Sequence, residues 1–145
     1  MGSEYAHAAL RGTIAAMSMT GMRTLAGESG LLGRAPPRMI ADEGAPRLIT
    51  AVPDHSRRAV IELLHWAYGA GGGVAYRTLP RSFRRRAASG PLFGLALWAG
   101  FRLGVAPVLG LHSERERTSS ETVALVVDHL LYGLVLGEIR ARPRS

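Results

Sequence analysis

The chain has 145 residues, no cysteine, and a formal net charge of +7, its eighteen basic residues all arginine. The length fits one domain, and the missing thiols exclude disulfides, thiol catalysis and cysteine-ligated zinc or iron–sulfur centres. With 47% apolar residues and much Gly and Ala, the composition does not suit a basic nucleic-acid module, so no nucleic-acid partner is expected despite the arginines.

The first apolar segment, 6–26, reads "AHAALRGTIAAMSMTGMRTLA" and carries Arg11 and Arg23. A cleaved signal peptide is not expected there, because Glu4 precedes it and no early basic residue or A-x-A site does the work of one. The connection 27–56 is mixed in charge. Pro36-Pro37 suit a helix start, and Met39, Ile40, Leu48 and Ile49 predict one or two short helices lying at a membrane interface. The second segment, 59–76, reads "AVIELLHWAYGAGGGVAY" and holds Glu62 and His65. The loop 77–90 has five arginines and no acid.

The third segment, 91–111, reads "PLFGLALWAGFRLGVAPVLGL". Its Leu, Val and Phe residues, each favouring insertion by about 0.5 kcal/mol, outweigh about 3 kcal/mol for the single Arg102. Ser120 followed by Glu121 predicts the N-terminal cap of the fourth segment, 122–139, "TVALVVDHLLYGLVLGEI", where Asp128 is outweighed in the same way. Segments one and two are less apolar and are expected to insert as partners of the other two. As helices the four segments span about 27–31 Å, the thickness of a hydrocarbon core. The alternative, a soluble four-helix bundle, fails mainly on segment three, which has no polar face. The fold class expected is therefore all-α: a polytopic inner-membrane protein of four transmembrane helices. The acid-free arginines of 77–90 and of Arg140, Arg142 and Arg144 place both termini and the 77–90 loop in the cytoplasm, with 27–56 outside.

Two stretches share one pattern. "HWAYGAGGG" (65–73) and "HLLYGLVLG" (129–137) both read His-x-x-Tyr-Gly-x-x-x-Gly, and Gly21-Met22-Arg23 resembles Gly100-Phe101-Arg102. A duplicated helical hairpin explains this, its halves related by a two-fold axis along the membrane normal. Gly69, Gly73, Gly133 and Gly137 form small-xxx-small grooves for close helix packing. Arg23, Glu62, His65, Tyr68, Arg102, Asp128, His129 and Tyr132 are expected as an intramembrane polar cluster, with Arg102 paired to Asp128 and Arg23 to Glu62. Glu62-x-x-His65 has di-metal spacing, but no second Glu-x-x-His occurs, so no metal site is expected. No nucleophile–base set and no phosphate loop appears, so no catalytic residue is expected.

The order of "TGMRTLAGESGLLGRAPPRMI", "ELLHWAYGAGGGVAY", "GPLFGLALWAGFRLGVAPVLGL" and "DHLLYGLVLGEIR" resembles the YagU-like family of small bacterial inner-membrane proteins, in its actinobacterial form. The resemblance implies a polytopic membrane protein, an association with acid resistance, and no catalytic residues. The function expected is a non-enzymatic accessory component, partnered by the lipid bilayer and by other membrane subunits or itself. Two alternatives stand beside it. One is a small transporter or proton relay using Glu62, His65, Arg102, Asp128 and His129. The other is an electron carrier with haem b held by His65 and His129.

Overall fold

The computed structural model describes residues 2–138. The expected arginines Arg140, Arg142 and Arg144 lie outside the described residues. Within them the chain is all helical: α1 (Gly2–Glu28), α2 (Pro36–Met39), α3 (Pro46–Thr50), α4 (Asp54–Thr78), α5 (Arg81–Arg84), α6 (Ser89–Gly100), α7 (Ala106–Val108), α8 (His112–Arg115) and α9 (Ser119–Glu138). Two π-helical stretches, Ile40–Gly44 and Phe101–Val105, complete it.

Local chemistry sets the boundaries. α2 starts at Pro36 after an extended Ala35, since a proline ring fits a first turn and disfavours helix in the residue before it. α4 ends for the same reason at Leu79, which is extended ahead of Pro80. α9 is capped by Thr118, one residue before its start. Thr118 Oγ1 accepts from Glu121 N–H at 3.3 Å, and Thr118 N–H donates to Glu121 Oε2 at 2.9 Å. That reciprocal box corrects the expected cap at Ser120, which lies inside the first turn.

α6, Phe101–Val105 and α7 run on as one rod from Ser89 to Val108, three residues short of the expected 111, and the chain then reverses at Gly110 (φ 65°). Pro107 has no N–H for an α-helical bond back to Leu103, and the turn before it is widened so that Ala106 N–H bonds to Phe101 O. Among the described residues, this rod and Ser119–Gly137 are the two helices long and apolar enough to cross a membrane.

The helices form two tight pairs, α1 with α4 and α6 with α9, and α1 also packs along α9. Glycine makes both crossings close. A Cβ on Gly12 would overlap the Gly69 carbonyl and the Gly73 backbone, and one on Gly69 would overlap Ala16. In the second pair a Cβ on Gly90 or Gly133 would overlap the other's carbonyl, and one on Gly94 would overlap His129 O. A Cβ on Gly137 would stand in ordinary contact, 3.6 Å from Gly90 Cα.

Two details correct the expected symmetry. Gly12 and Gly90 occupy matching places in the two crossings and are 78 positions apart, whereas Gly21-Met22-Arg23 and Gly100-Phe101-Arg102 are 79 apart, so that weaker mark is out of register. A two-fold axis would also give α4 and α6 the seam that α1 and α9 share; they have no comparable seam among the described residues.

Between the long helices, residues 36–52 cover one end. Met39 is buried against Ala106 and Leu111, with Phe101 and Ile40 alongside, rather than facing outward as expected. Leu48 remains exposed. At the opposite end Tyr76 OH and Ser89 Oγ are 2.6 Å apart, Ser89 Oγ donates to Arg84 O, and Tyr76 packs on Phe93.

Candidate functional site

Where α1, α4 and α9 meet below the 36–52 cap, Arg23 is buried among carboxylates. Its guanidinium lies 3.6 Å from Glu62 Oε2 and 4.0 Å from Asp128 Oδ2. Thr20, one turn earlier on α1, organises the contact. Its hydroxyl accepts from Arg23 Nη2 at 3.2 Å and from Trp66 Nε1 at 3.1 Å, and donates to Glu62 Oε2 at 2.9 Å. Asp128 is only 1% exposed, and neither of its oxygens has a hydrogen-bond partner among the described residues. Thr20 and Trp66 were not foreseen; the i, i+3 spacing of Thr20 and Arg23 was the available signal.

The expected Arg23–Glu62 ion pair is present. The expected Arg102–Asp128 pair is not: Arg102 reaches Glu114 on α8 at 3.7 Å and lies over the Trp98 ring at 5.9 Å. The reason is which helix covers which face of α9. His129 and Gly133 face α6, while Asp128, one residue or 100° away, meets α1. Glu114 belongs to a second network over the helix ends. Arg117 Nε contacts Glu114 Oε2 at 2.5 Å, and Arg117 Nη2 donates to Arg34 O at 2.9 Å. Gly33 N–H donates to Glu121 Oε1. Glu43, held by Arg34 and by the N–H and hydroxyl of Ser113, has its pKa lowered, the Ser113 hydroxyl being the main cause.

The two motif tyrosines part company. Tyr132 is 2% exposed and donates to Gly69 O at 2.8 Å, its hydroxyl lying beside Gly72. The glycines of α4 make the room for it. Tyr68 is 58% exposed, because α6 does not close on α4 as α1 closes on α9, and it stands on the open side beside Arg23, His65 and His129.

That opening is a cleft of about 430 Å³ between α4 and the Phe101–Val105 stretch, roofed by residues of 36–52. Its walls are apolar, among them Met19, Ile40, Ile49, Ile61, Leu64 and Phe101, and Arg23, His65, Tyr68 and His129 are its ionisable lining. His129 Nδ1–H donates to Leu125 O at 2.9 Å, which leaves Nε2 for other partners. His65 Nε2 has no partner among the described residues. Glu62 accepts from Thr20, and among the described residues no three His, Asp or Glu side chains gather to hold a metal. The arrangement can hold a polar group against Arg23 and the histidines while apolar walls exclude water.

No family model matches the chain, and neither a curated protein nor a solved structure matches it.

Proposed function

We propose that the chain crosses a bacterial inner membrane four times as a non-enzymatic accessory component of a larger membrane complex. The supporting observation is that the long helices bury glycines and charges at their crossings while also exposing large apolar residues. Small residues (Gly12, Ala15, Ala16, Gly69, Gly94, Gly133) and the charged Arg23 and Asp128 are inside. Leu10, Ile14, Met17, Leu63, Leu92, Leu103, Val108, Val123 and Leu134 are outside. A water-soluble bundle buries its large apolar residues and does not expose them on every long helix. In lipid, close helix approach through glycine and inward-facing charge are the expected arrangement. α1 and α4, with 27 and 25 residues, are long enough to span and insert beside the two more apolar helices. The resemblance to YagU-like proteins points the same way.

The accessory role rests on the rod Ser89–Val108, of whose most apolar window only 11% is buried within the chain. Leu103, 77% exposed, marks its open face. A photo-crosslinking residue placed at Leu103 in living cells should capture a second polypeptide. Crosslinks to lipid alone would overturn the accessory role.

A second reading, a small transporter or proton relay, is favoured by Asp128 and the histidine-lined cleft. It requires proton flux in liposomes carrying the wild-type protein and its loss in Asp128→Asn. A Soret band from the purified protein would favour haem b on His65 and His129 instead.

A further inference from the structure

At the end of the molecule opposite the 36–52 cap, two recesses lie side by side. One, of about 250 Å³, is lined by Arg77, Arg81, Arg84 and Arg85. The other, of about 300 Å³, has His7, Arg11, Arg77 and Arg84 among its lining. They share Arg77 and Arg84, so two cationic hollows stand adjacent with a common wall. The cations are presented by folded structure: α5 follows Pro80 directly, Arg84 Nε donates to Leu79 O at 2.9 Å, and Ser89 Oγ donates to Arg84 O. Among the described residues that line the two recesses, Glu4 is the one acid, 2.6 Å from Arg77, while Arg11, Arg81 and Arg85 add positive charge beside it.

We infer that this double recess binds a phospholipid whose head group carries two phosphates joined by a short bridge, the inference resting on the membrane reading above. Guanidinium forks match phosphate oxygens, and two linked phosphates match two hollows that share a wall. A basic recess between helix ends is a recurrent form of lipid site. The recess of about 300 Å³ also has an apolar side, formed by Ala8, Gly73, Tyr76 and Leu136. A lipid's glycerol and upper acyl chains suit that side, and a free diphosphate has no use for it.

The test is native mass spectrometry of the full chain in mild detergent, titrated with cardiolipin, with phosphatidylglycerol of the same acyl chains, and with inorganic pyrophosphate. Cardiolipin should bind about tenfold more tightly than phosphatidylglycerol. The double variant Arg81→Gln/Arg85→Gln changes two exposed side chains of the recess and should lower cardiolipin binding to the phosphatidylglycerol level. Arg86→Gln, exposed and lining neither recess, should leave it unchanged. Equal binding of the two lipids, or an equal loss in Arg86→Gln, would overturn the site. Displacement of cardiolipin by equimolar pyrophosphate would assign the recess to a free diphosphate and overturn the lipid. Release of the protein from membranes by alkaline carbonate without detergent would overturn the membrane reading itself, whereas a detergent-requiring protein without lipid preference would overturn only this inference.

Discussion

Arg23 is the residue on which the buried charges depend. It is the cation facing both Glu62 and Asp128, and it is almost fully buried. Arg23→Leu strands two carboxylates and should lower stability by about 3–5 kcal/mol, read as a fall in the unfolding temperature in detergent. Arg102→Leu should lower it by less than about 1 kcal/mol, because Arg102 is partly exposed and Glu114 keeps Arg117. Equal losses from the two variants would overturn this ranking. The glycines allow a similar contrast. Gly133→Ala places a methyl group on the Gly90 carbonyl and should be destabilising by about 1–3 kcal/mol. Gly21→Ala meets nothing within 4 Å and should be neutral or stabilising, since Ala is the better helix former. The packing role of Gly69, Gly73 and Gly133 was legible from their spacing, because a four-residue repeat on a helix has one geometric consequence. The partner of Arg102 was not, because spacing gives depth and leaves open which helix covers which face.

At the scale of elements, helix length and hydropathy foretold the four long helices, and Pro36 foretold the start of α2. The box Thr118-x-x-Glu121 was present in the sequence one turn from where the cap was expected. The π-helical stretch at Phe101–Val105 was not legible, since Pro107 permits a kink, a break or a widened turn alike. The fold of 36–52 over the helix ends was hidden as well. Glu43, Arg117 and Glu121 bond to backbone groups 70 to 88 positions away, and nothing in the local sequence marks such partners. Glu43 makes this cap sensitive to acid. Its carboxyl is held below the usual 4.5, mainly by the Ser113 hydroxyl, so the folded cap binds its proton less readily than the unfolded chain does. Its contribution is therefore complete above about pH 4.5 and is lost as pH falls through the lower folded value. Hydrogen exchange, corrected for the intrinsic rate, should show protection of residues 111–114 falling as the pH drops below about 4.5. Ser113→Ala should shift that loss toward higher pH. A loss that stays at the same pH in the variant would mean that Glu43 is not its origin.

For the whole molecule, the chain writes one helical pattern twice but packs the two halves unequally: the α1–α9 seam is tight and the α4–α6 side is open, which is why a cleft exists at all. The two ends of the bundle also differ in charge. Around the cap, Arg34, Arg102 and Arg117 are matched by Glu43, Glu114 and Glu121. At the other end Arg77 pairs with Glu4, and Arg81, Arg85 and Arg86 stand near it on exposed positions. Short loops richest in arginine are retained on the cytoplasmic side during insertion, and 77–90 holds five against three in 27–56 and two in 109–118. The 77–90 loop should therefore face the cytoplasm and the 36–52 cap the exterior. Because the chain contains no cysteine, single substitutions report this without background. Asp42→Cys and Ser82→Cys both lie on exposed positions. In intact spheroplasts a membrane-impermeant maleimide should label Asp42→Cys and leave Ser82→Cys unmodified until the membrane is permeabilised. Labelling of both in intact spheroplasts would mean that residues 42 and 82 lie on one side, and four spans would be lost. Labelling of Ser82→Cys alone would keep the spans and invert them, which would also move the proposed lipid site to the outer leaflet.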